Sequence, residues 1–448
     1  MNKSKIYLIS IGLFILGASF IISKYSTEKK RKESISYFIL ERKGPSAETA
    51  EWTSTRNRAT TLYKAILTNQ ADIKSMLGLA SLFVQEARIT GNYTYYDKAA
   101  MKYVNDVLKK DTINFEALTL KSLLFLSQHH FADGLAIAEK AKAVNPYNAF
   151  VYGILVDGNV EMGNYDAAVD NSDKMVSIRP DIRSYSRISY LREIYGDYPG
   201  AIEAMKLAIG AGVPGDENTE WCRVQLGKLY EYTGDMQNAE MQYTIALDER
   251  PAYAFANAGK ARIAAAQKDY SKAISLYLKA DSLISDYTFK EELADLYHLS
   301  GENEKAKAIA KEVIAAMSKD ASGSNQDENI GHYVDQELAY AYLKIKNYDK
   351  ALYHAMQEYN RRPANIDVNE TLAWVYYNKN DFEKALPYIK TALKTKSKNP
   401  RLLCRAGLIY SKTGDNIMAK SLFLEALKNN PVIAEALKAE SIAVLKNL

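Results

Sequence analysis

The chain has 448 residues, 47% of them apolar and 25% charged, which is the composition of a folded protein and excludes wholesale disorder. Its net charge is +4, from 58 basic and 54 acidic side chains, too even a balance for the footprint of a dedicated nucleic-acid binder. Cys222 and Cys404 lie far apart in the chain and make no CxxC or zinc-ligand spacing, so neither a disulfide framework nor a structural metal is expected.

The first element is an uncharged run at residues 6–22, from Ile6 to Ile22 (IYLISIGLFILGASFII). Lys3 and Lys5 precede it; Lys24 and the cluster Lys29-Lys30-Arg31-Lys32 follow. Its length is that of a short membrane span. Gly17 and Ser19 have the small-residue spacing of a cleavage site but sit inside the apolar run. Residues 1–33 therefore read as an uncleaved single-pass signal anchor with a basic flank, with a cleaved signal peptide as the alternative. The heavier flank after the run argues for a cytoplasmic body. The short, lysine-bearing N-terminus argues for export, and an extracytoplasmic body is the preferred reading.

Residues 34–75 read as an N-terminal helical cap, with residues 50–67 as a lone helix around Ala59. Beyond it, small residues recur at Ala99, Gly134, Ala168, Ala201, Ala239, Ala273, Ala306, Ala351, Ala385 and Ala419, with steps of 35, 34, 33, 38, 34, 33, 45, 34 and 34. A period near 34 is that of a two-helix solenoid unit. A turn precedes each of these anchors by a few residues, as in Gly163-Asn164-Tyr165, Gly196-Asp197-Tyr198, Lys268-Asp269-Tyr270 and Asn380-Asp381-Phe382. Glycine, or a tolerant Asn or Lys, ends the first helix in a left-handed conformation, and Asp or Asn caps the second. Twelve residues before the anchor lies a second small position: Ser122, Ser189, Gly227, Ala261, Ala294, Ala339, Ala373 and Gly407, with Val156 as the exception. Two antiparallel helices that approach closely need small side chains at both places. Proline follows the anchor by twelve residues at Pro146, Pro180, Pro251, Pro363 and Pro431, where it stops the second helix. The steps of 38 and 45 accommodate residues 210–216 and a polar stretch at 318–329, read as a mobile surface loop. Residues 432–448 read as a capping helix.

Leu226-Gly227-Lys228-Leu229-Tyr230 and Leu372-Ala373-Trp374-Val375-Tyr376, followed by alanine, alanine and proline in the second helix, resemble the tetratricopeptide repeat family. The resemblance covers residues 76–431. It implies an all-α, right-handed α-solenoid of about ten helix-turn-helix repeats that holds a protein or peptide partner on its concave face. In that family the inner face is lined by first-helix positions six and three before the small residue and one and four after it. Carried onto this chain, those positions give Arg183 and Tyr190 in one unit, Trp221 and Lys228 in the next, and then Arg262. Further along they give Asp295 and His298, Tyr333 and Tyr340, and finally Asp367, Trp374 and Tyr377. The Lys/Asn carboxylate clamp of the family's chaperone-binding members is absent: the positions three before the small residue hold Ser186, Val224, Ala258, Glu291, Gln336, Glu370 and Cys404. A chaperone-tail partner is thus disfavoured.

Neither a metal-ligand spacing among His129, His130, His298, His332 and His354 nor a phosphate-binding glycine loop is present, so no enzyme, cofactor or metal is expected. The expected role is a membrane-tethered scaffold for a protein or peptide partner, with no nucleic acid. The alternative is a carbohydrate- or envelope-polymer-associated module of a synthesis or export apparatus, in which groove aromatics stack on sugar rings.

Overall fold

The computed structural model describes residues 17, 19, 24, 36–284, 286–321, 330–428 and 433–448. The expected anchor at residues 1–33 therefore lies, but for isolated positions, outside the described residues. Among the described residues no helix is long and apolar enough to cross a membrane.

Regular structure among the described residues is helical throughout, with 22 α-helices after a short 3-10 turn at Gly44–Glu48. Helix α1 (Ala50–Thr68) stands alone. Four pairs follow: α2 (Ile73–Thr90) with α3 (Tyr93–Leu108), α4 (Phe115–Ser127) with α5 (Phe131–Val144), α6 (Ala149–Met162) with α7 (Tyr165–Ile178), and α8 (Ile182–Ile194) with α9 (Tyr198–Gly210). The middle of the chain adds α10 (Glu217–Thr233) with α11 (Met236–Glu249), α12 (Ala254–Ala266) with α13 (Tyr270–Leu283), and α14 (Tyr287–Leu299) with α15 (Asn303–Asp320). The last three pairs are α16 (Asp335–Lys344) with α17 (Tyr348–Arg361), α18 (Ile366–Asn378) with α19 (Phe382–Ala392), and α20 (Pro400–Lys412) with α21 (Asn416–Leu427). A final helix, α22 (Glu435–Leu445), packs on α20 and α21. Each helix packs most heavily on its pair partner and next on the adjoining pair, the quasi-one-dimensional order of a solenoid.

The spacing of twelve is a direct contact. The Ser122 hydroxyl donates to the Gly134 carbonyl at 2.6 Å, and Ser189 donates to the Ala201 carbonyl at 2.7 Å, so small position and anchor face each other across the pair. Eight of the ten anchors are alanines with no exposed surface: Ala99, Ala168, Ala201, Ala239, Ala273, Ala351, Ala385 and Ala419. Gly134 is buried as well. Ala306 is half-buried; in the longer α15 the burial moves to Ala310, Val313 and Met317. The left-handed turn residues also stand where the pattern puts them, including the non-glycines His129, Lys268, Lys346 and Asn380. Caps are less uniform. Asp197, Asp235, Asp269, Asn347 and Asp415 accept a backbone N–H, whereas Asn164 and Asp381 do not.

One local expectation needs correction. The stretch at 318–329 is not all loop: α15 runs on to Asp320, and residues 322–329 lie outside the described residues.

The superhelix does not stay open. Along its length, units meet units about 200 residues further on, which at a period near 34 is about six repeats. Near the start, Arg250 donates to Glu51 at 2.8 Å, and Glu51 also accepts from Arg42, whose guanidinium is buried against Glu86. Arg88 pairs with Glu217 at 2.7 Å over a shorter reach of 129 residues. Further along, Tyr333 N–H donates to the Gln128 carbonyl at 3.1 Å, and the Tyr333 ring stacks on His130 with centroids 3.8 Å apart. Next come Arg362 with Glu161, Asn365 Nδ2 donating to the Glu161 carbonyl at 3.0 Å, and the Tyr165 hydroxyl accepting from Ile366 N–H at 3.0 Å. One turn of the superhelix therefore rests on the next along a polar seam.

Candidate luminal binding site

The seam encloses a cavity of about 290 Å³ on the inner face. One wall is the C-terminal end of α8, with Tyr190, Glu193 and Ile194; the other comes from α16, α18 and α20, with Tyr340, Asp367, Glu370 and Arg401. Tyr340 is held from behind: its hydroxyl accepts from Thr371 Oγ1 and from Arg405 Nη1, both at 3.1 Å. Arg405 in turn donates to Glu370 at 2.8 Å, and Arg401 lies 3.4 Å from the same carboxylate. Burial pushes the Glu370 carboxyl up, but Arg401 and Arg405 outweigh it and hold it below the usual range.

Two further carboxylates have no such partner. Glu193 and Asp367 make no ion pair among the described residues. Burial pushes the Glu193 carboxyl up to about 7, with Lys228 opposing and Asp367 adding to the rise. Burial also raises Asp367, and the neighbouring Glu370 adds to it. Yet Asp367 and Tyr190 are exposed to solvent.

Of the twelve inner-face residues read from the sequence, Tyr190, Tyr340 and Asp367 meet in this cavity. Lys228 and Arg262 lie nearby: burial lowers the Lys228 ammonium, and Arg262 lowers it further. Arg262 is committed to structure, donating to both Glu231 oxygens at 2.9 and 3.0 Å and to the Tyr243 hydroxyl at 2.9 Å. Asp295 pairs with Lys344 at 2.7 Å, and His298 bonds Asn303 at 2.6 Å. Arg183 lies over the Phe150 ring and Arg88 over Trp221, contacts between units. Trp374 and Tyr377 stack at 4.8 Å, but the Tyr377 ring is buried and its hydroxyl donates to Glu440 of α22 at 2.7 Å. Tyr333 is drawn into the seam, stacked on His130 and with the Arg361 guanidinium 4.3 Å from its ring centroid. His129 and His130 do more than form a turn, since they bond the Tyr333 and Gly331 carbonyls.

The charged cavity residues outside that set were within reach of the same mapping. Glu193 is four after Ser189, Glu370 is three before Ala373, and Arg401 is six before Gly407. Among the described residues no group of His, Cys, Asp and Glu could hold a metal ion.

Comparison with known proteins bears on the repeats. Tetratricopeptide repeat family models match residues 224–288, 366–399 and 400–432. Among curated proteins, no sequence matches the chain. Similar solved structures include a thermophilic tetratricopeptide repeat protein from Thermus thermophilus, at 20% identity and TM-score 0.35, covering 39% of this chain and 92% of the other. Another is a tetratricopeptide repeat protein from Parabacteroides merdae, at 18% identity and TM-score 0.34, covering 59% and 99%. The human IFIT1 dimer with PPP-AAAA covers 85% of this chain and 91% of the other, at 14% identity and TM-score 0.45. With ten helix pairs in consecutive packing and family matches in three stretches, the chain is an all-α solenoid that carries tetratricopeptide repeats.

Proposed function

We propose that this protein is a non-catalytic scaffold that holds a segment of a protein partner in its lumen. The observation that carries the reading is the cavity itself: Tyr190 and Tyr340, from units far apart in sequence, flank the unpaired carboxylates Glu193 and Asp367. Tyrosine is among the residue types that anchor interfaces. Two carboxylates without a direct ion pair beside the rings favour a basic side chain on the incoming segment, although Lys228 and Arg401 stand nearby. The membrane tether belongs to the same proposal and rests on the uncharged run at residues 6–22.

The test is a pull-down from membranes with the purified full chain as bait. Replacing Tyr190 and Tyr340 together by Ala is expected to weaken capture of the retained protein by about 2 kcal/mol, roughly thirtyfold. Glu193→Gln with Asp367→Asn is expected to remove the salt dependence of capture. Retention of the same proteins at the same strength by both variants would place the binding surface elsewhere. The tether is tested separately: full-length protein should stay with membranes through carbonate extraction, and recovery of a trimmed soluble form from its native source would reject the anchor.

A further inference from the structure

The pair interfaces and the seam differ in their balance of chemistry. Within and between adjoining units the contacts are mainly apolar, built on buried Ala, Leu, Val, Tyr and Phe. Across the seam they are mainly ion pairs, hydrogen bonds and ring stacking, with Ile366 beside Val160 and Tyr165 and Ile330 against the first core as its apolar contacts. Arg250 meets Glu51, Arg88 meets Glu217, Arg362 meets Glu161, and Lys268 meets Glu435. Backbone groups at 128, 160, 161 and 366 are bonded by Tyr333, Asn365 and Tyr165 from the other turn. The charges are of opposite sign in each of these ion pairs, and most are partly open to water. Such pairs contribute little individually and are screened by salt. Apolar packing does not share that weakness. A solenoid joined only to its neighbours can lengthen by small rotations at each pair interface, without breaking any of them.

We infer that the seam is a salt-sensitive latch, and that its opening is the route by which a partner segment reaches the lumen. Closure brings Tyr190 and Glu193 up to Tyr340 and Asp367 and so completes the cavity. Opening separates its walls while leaving every helix pair intact. The latch stands on the seam contacts alone, whereas the access route rests on the scaffold reading.

The experiment uses the full chain. Thr94 Oγ1 and Asp320 Oδ1 face each other across the seam at 3.4 Å. In Thr94→Cys/Asp320→Cys the rate of intramolecular disulfide formation under mild oxidation reports closure, and Cys222 and Cys404 are buried and do not compete. Raising NaCl from about 0.05 M to about 1 M shortens the screening length from well over 10 Å to about 3 Å. The cross-linking rate is expected to fall at least about tenfold, while far-UV circular dichroism stays unchanged. Arg362→Glu, which also loses the Glu358 pair within its own unit, should produce the same fall at low salt, and adding Glu161→Arg should restore part of the rate. Access is read by adding Lys228→Cys and following labelling at position 228 alone, by peptide mapping, with a bulky polymer maleimide, since the thiols at 94 and 320 also react in the reduced protein. The oxidised, locked protein should react at least about tenfold more slowly than the reduced one at high salt.

A cross-linking rate that ignores both salt and the Arg362→Glu charge reversal overturns the latch. Equal labelling of locked and unlocked protein overturns the access route. Should the cysteine variants misfold, hydrogen exchange on the unaltered chain decides the first point. The Tyr333 and Ile366 amides must lose protection at high salt while helix-interior amides of α18 keep theirs. Uniform protection overturns the latch.

Discussion

Gly227→Ala tests the close helix approach directly, and the structure determines its sign. Alanine in place of glycine inside a helix ordinarily stabilises by up to about 1 kcal/mol. Here the new Cβ would run into the ring of Tyr243, which has no exposed surface. The ring cannot swing away. Gly259 borders the same ring from the next unit, and the hydroxyl is tied to Glu231 at 2.5 Å and Arg262 at 2.9 Å. Overpacking of this kind costs about 1–3 kcal/mol. Set against the propensity gain, the net effect is a loss of about 1–2 kcal/mol. Urea unfolding of the full chain, followed by both tryptophan fluorescence and circular dichroism, gives the comparison. In a Tyr243→Leu background the same change should be neutral or stabilising, so the two sites couple by about 2 kcal/mol. Gly210→Ala, where nothing lies within 4 Å of the added carbon, serves as the control and should not destabilise. A Gly227→Ala protein as stable as the parent would refute the argument that two helix axes meet at this position.

Arg262→Met should cost about 3–5 kcal/mol, because it strands the buried Glu231 carboxylate, and Glu231→Gln in the same chain should recover most of the loss in the unfolding midpoint. Burial holds the His129 imidazole down, near 4. The proton is therefore bound more readily in the opened state, so this residue's contribution to closure is complete above pH 6.5 and is lost as pH falls from 6.5 towards 4. Glu161, pushed up to about 7 by burial, works the other way over part of that range. The effect is isolated by comparing the parent with His129→Gln. Hydrogen exchange across residues 128–134 should show about 1–2 kcal/mol less acid weakening between pH 7 and pH 5 in the variant, and equal weakening would remove His129 from the seam's pH response. Gly163→Asn should break the seam, since its Cβ meets the Ala364 backbone, while Gly301→Asn, with open space around it, should leave cross-seam amide protection unchanged.

The repeat architecture was legible because the residues that specify it interact locally. Ser122 and Gly134, or Ser189 and Ala201, are twelve residues apart and touch within one pair. The left-handed turn residues between them are equally local. Where the local rule has slack, the pattern blurs. Ala306 keeps the spacing but gives up full burial, because α15 has the length to bury Val313 and Met317 instead. Turn glycines hide a second role. Gly163 and Gly196 have the same left-handed backbone as Lys268 and Asn380, so φ alone does not demand glycine there. What demands it is the approach of Ala364 to the first and of Lys396 and Lys398 to the second, from a turn of superhelix about 200 residues away.

The candidate site was legible as a set of positions and not as a place. Tyr190, Glu193, Tyr340, Asp367, Glu370 and Arg401 all occupy inner-face offsets from their small residues. Which of them face one another depends on the rotation from each unit to the next, and that rotation accumulates from many side-chain contacts between pairs. With contacts recurring after about six units, the rotation is about 60° per unit. A change of about 10° at each interface, accumulated over one turn, would shift the partner of α8 from α16 and α18 to a different pair. Tyr333 and Tyr377 show the consequence. Both hold inner-face offsets, yet the first is claimed by the seam through His130 and Arg361, and the second by the final helix through Glu440. An inner-face offset therefore makes a residue available to the lumen, and the superhelical closure and the terminal helix decide whether a neighbour takes it first.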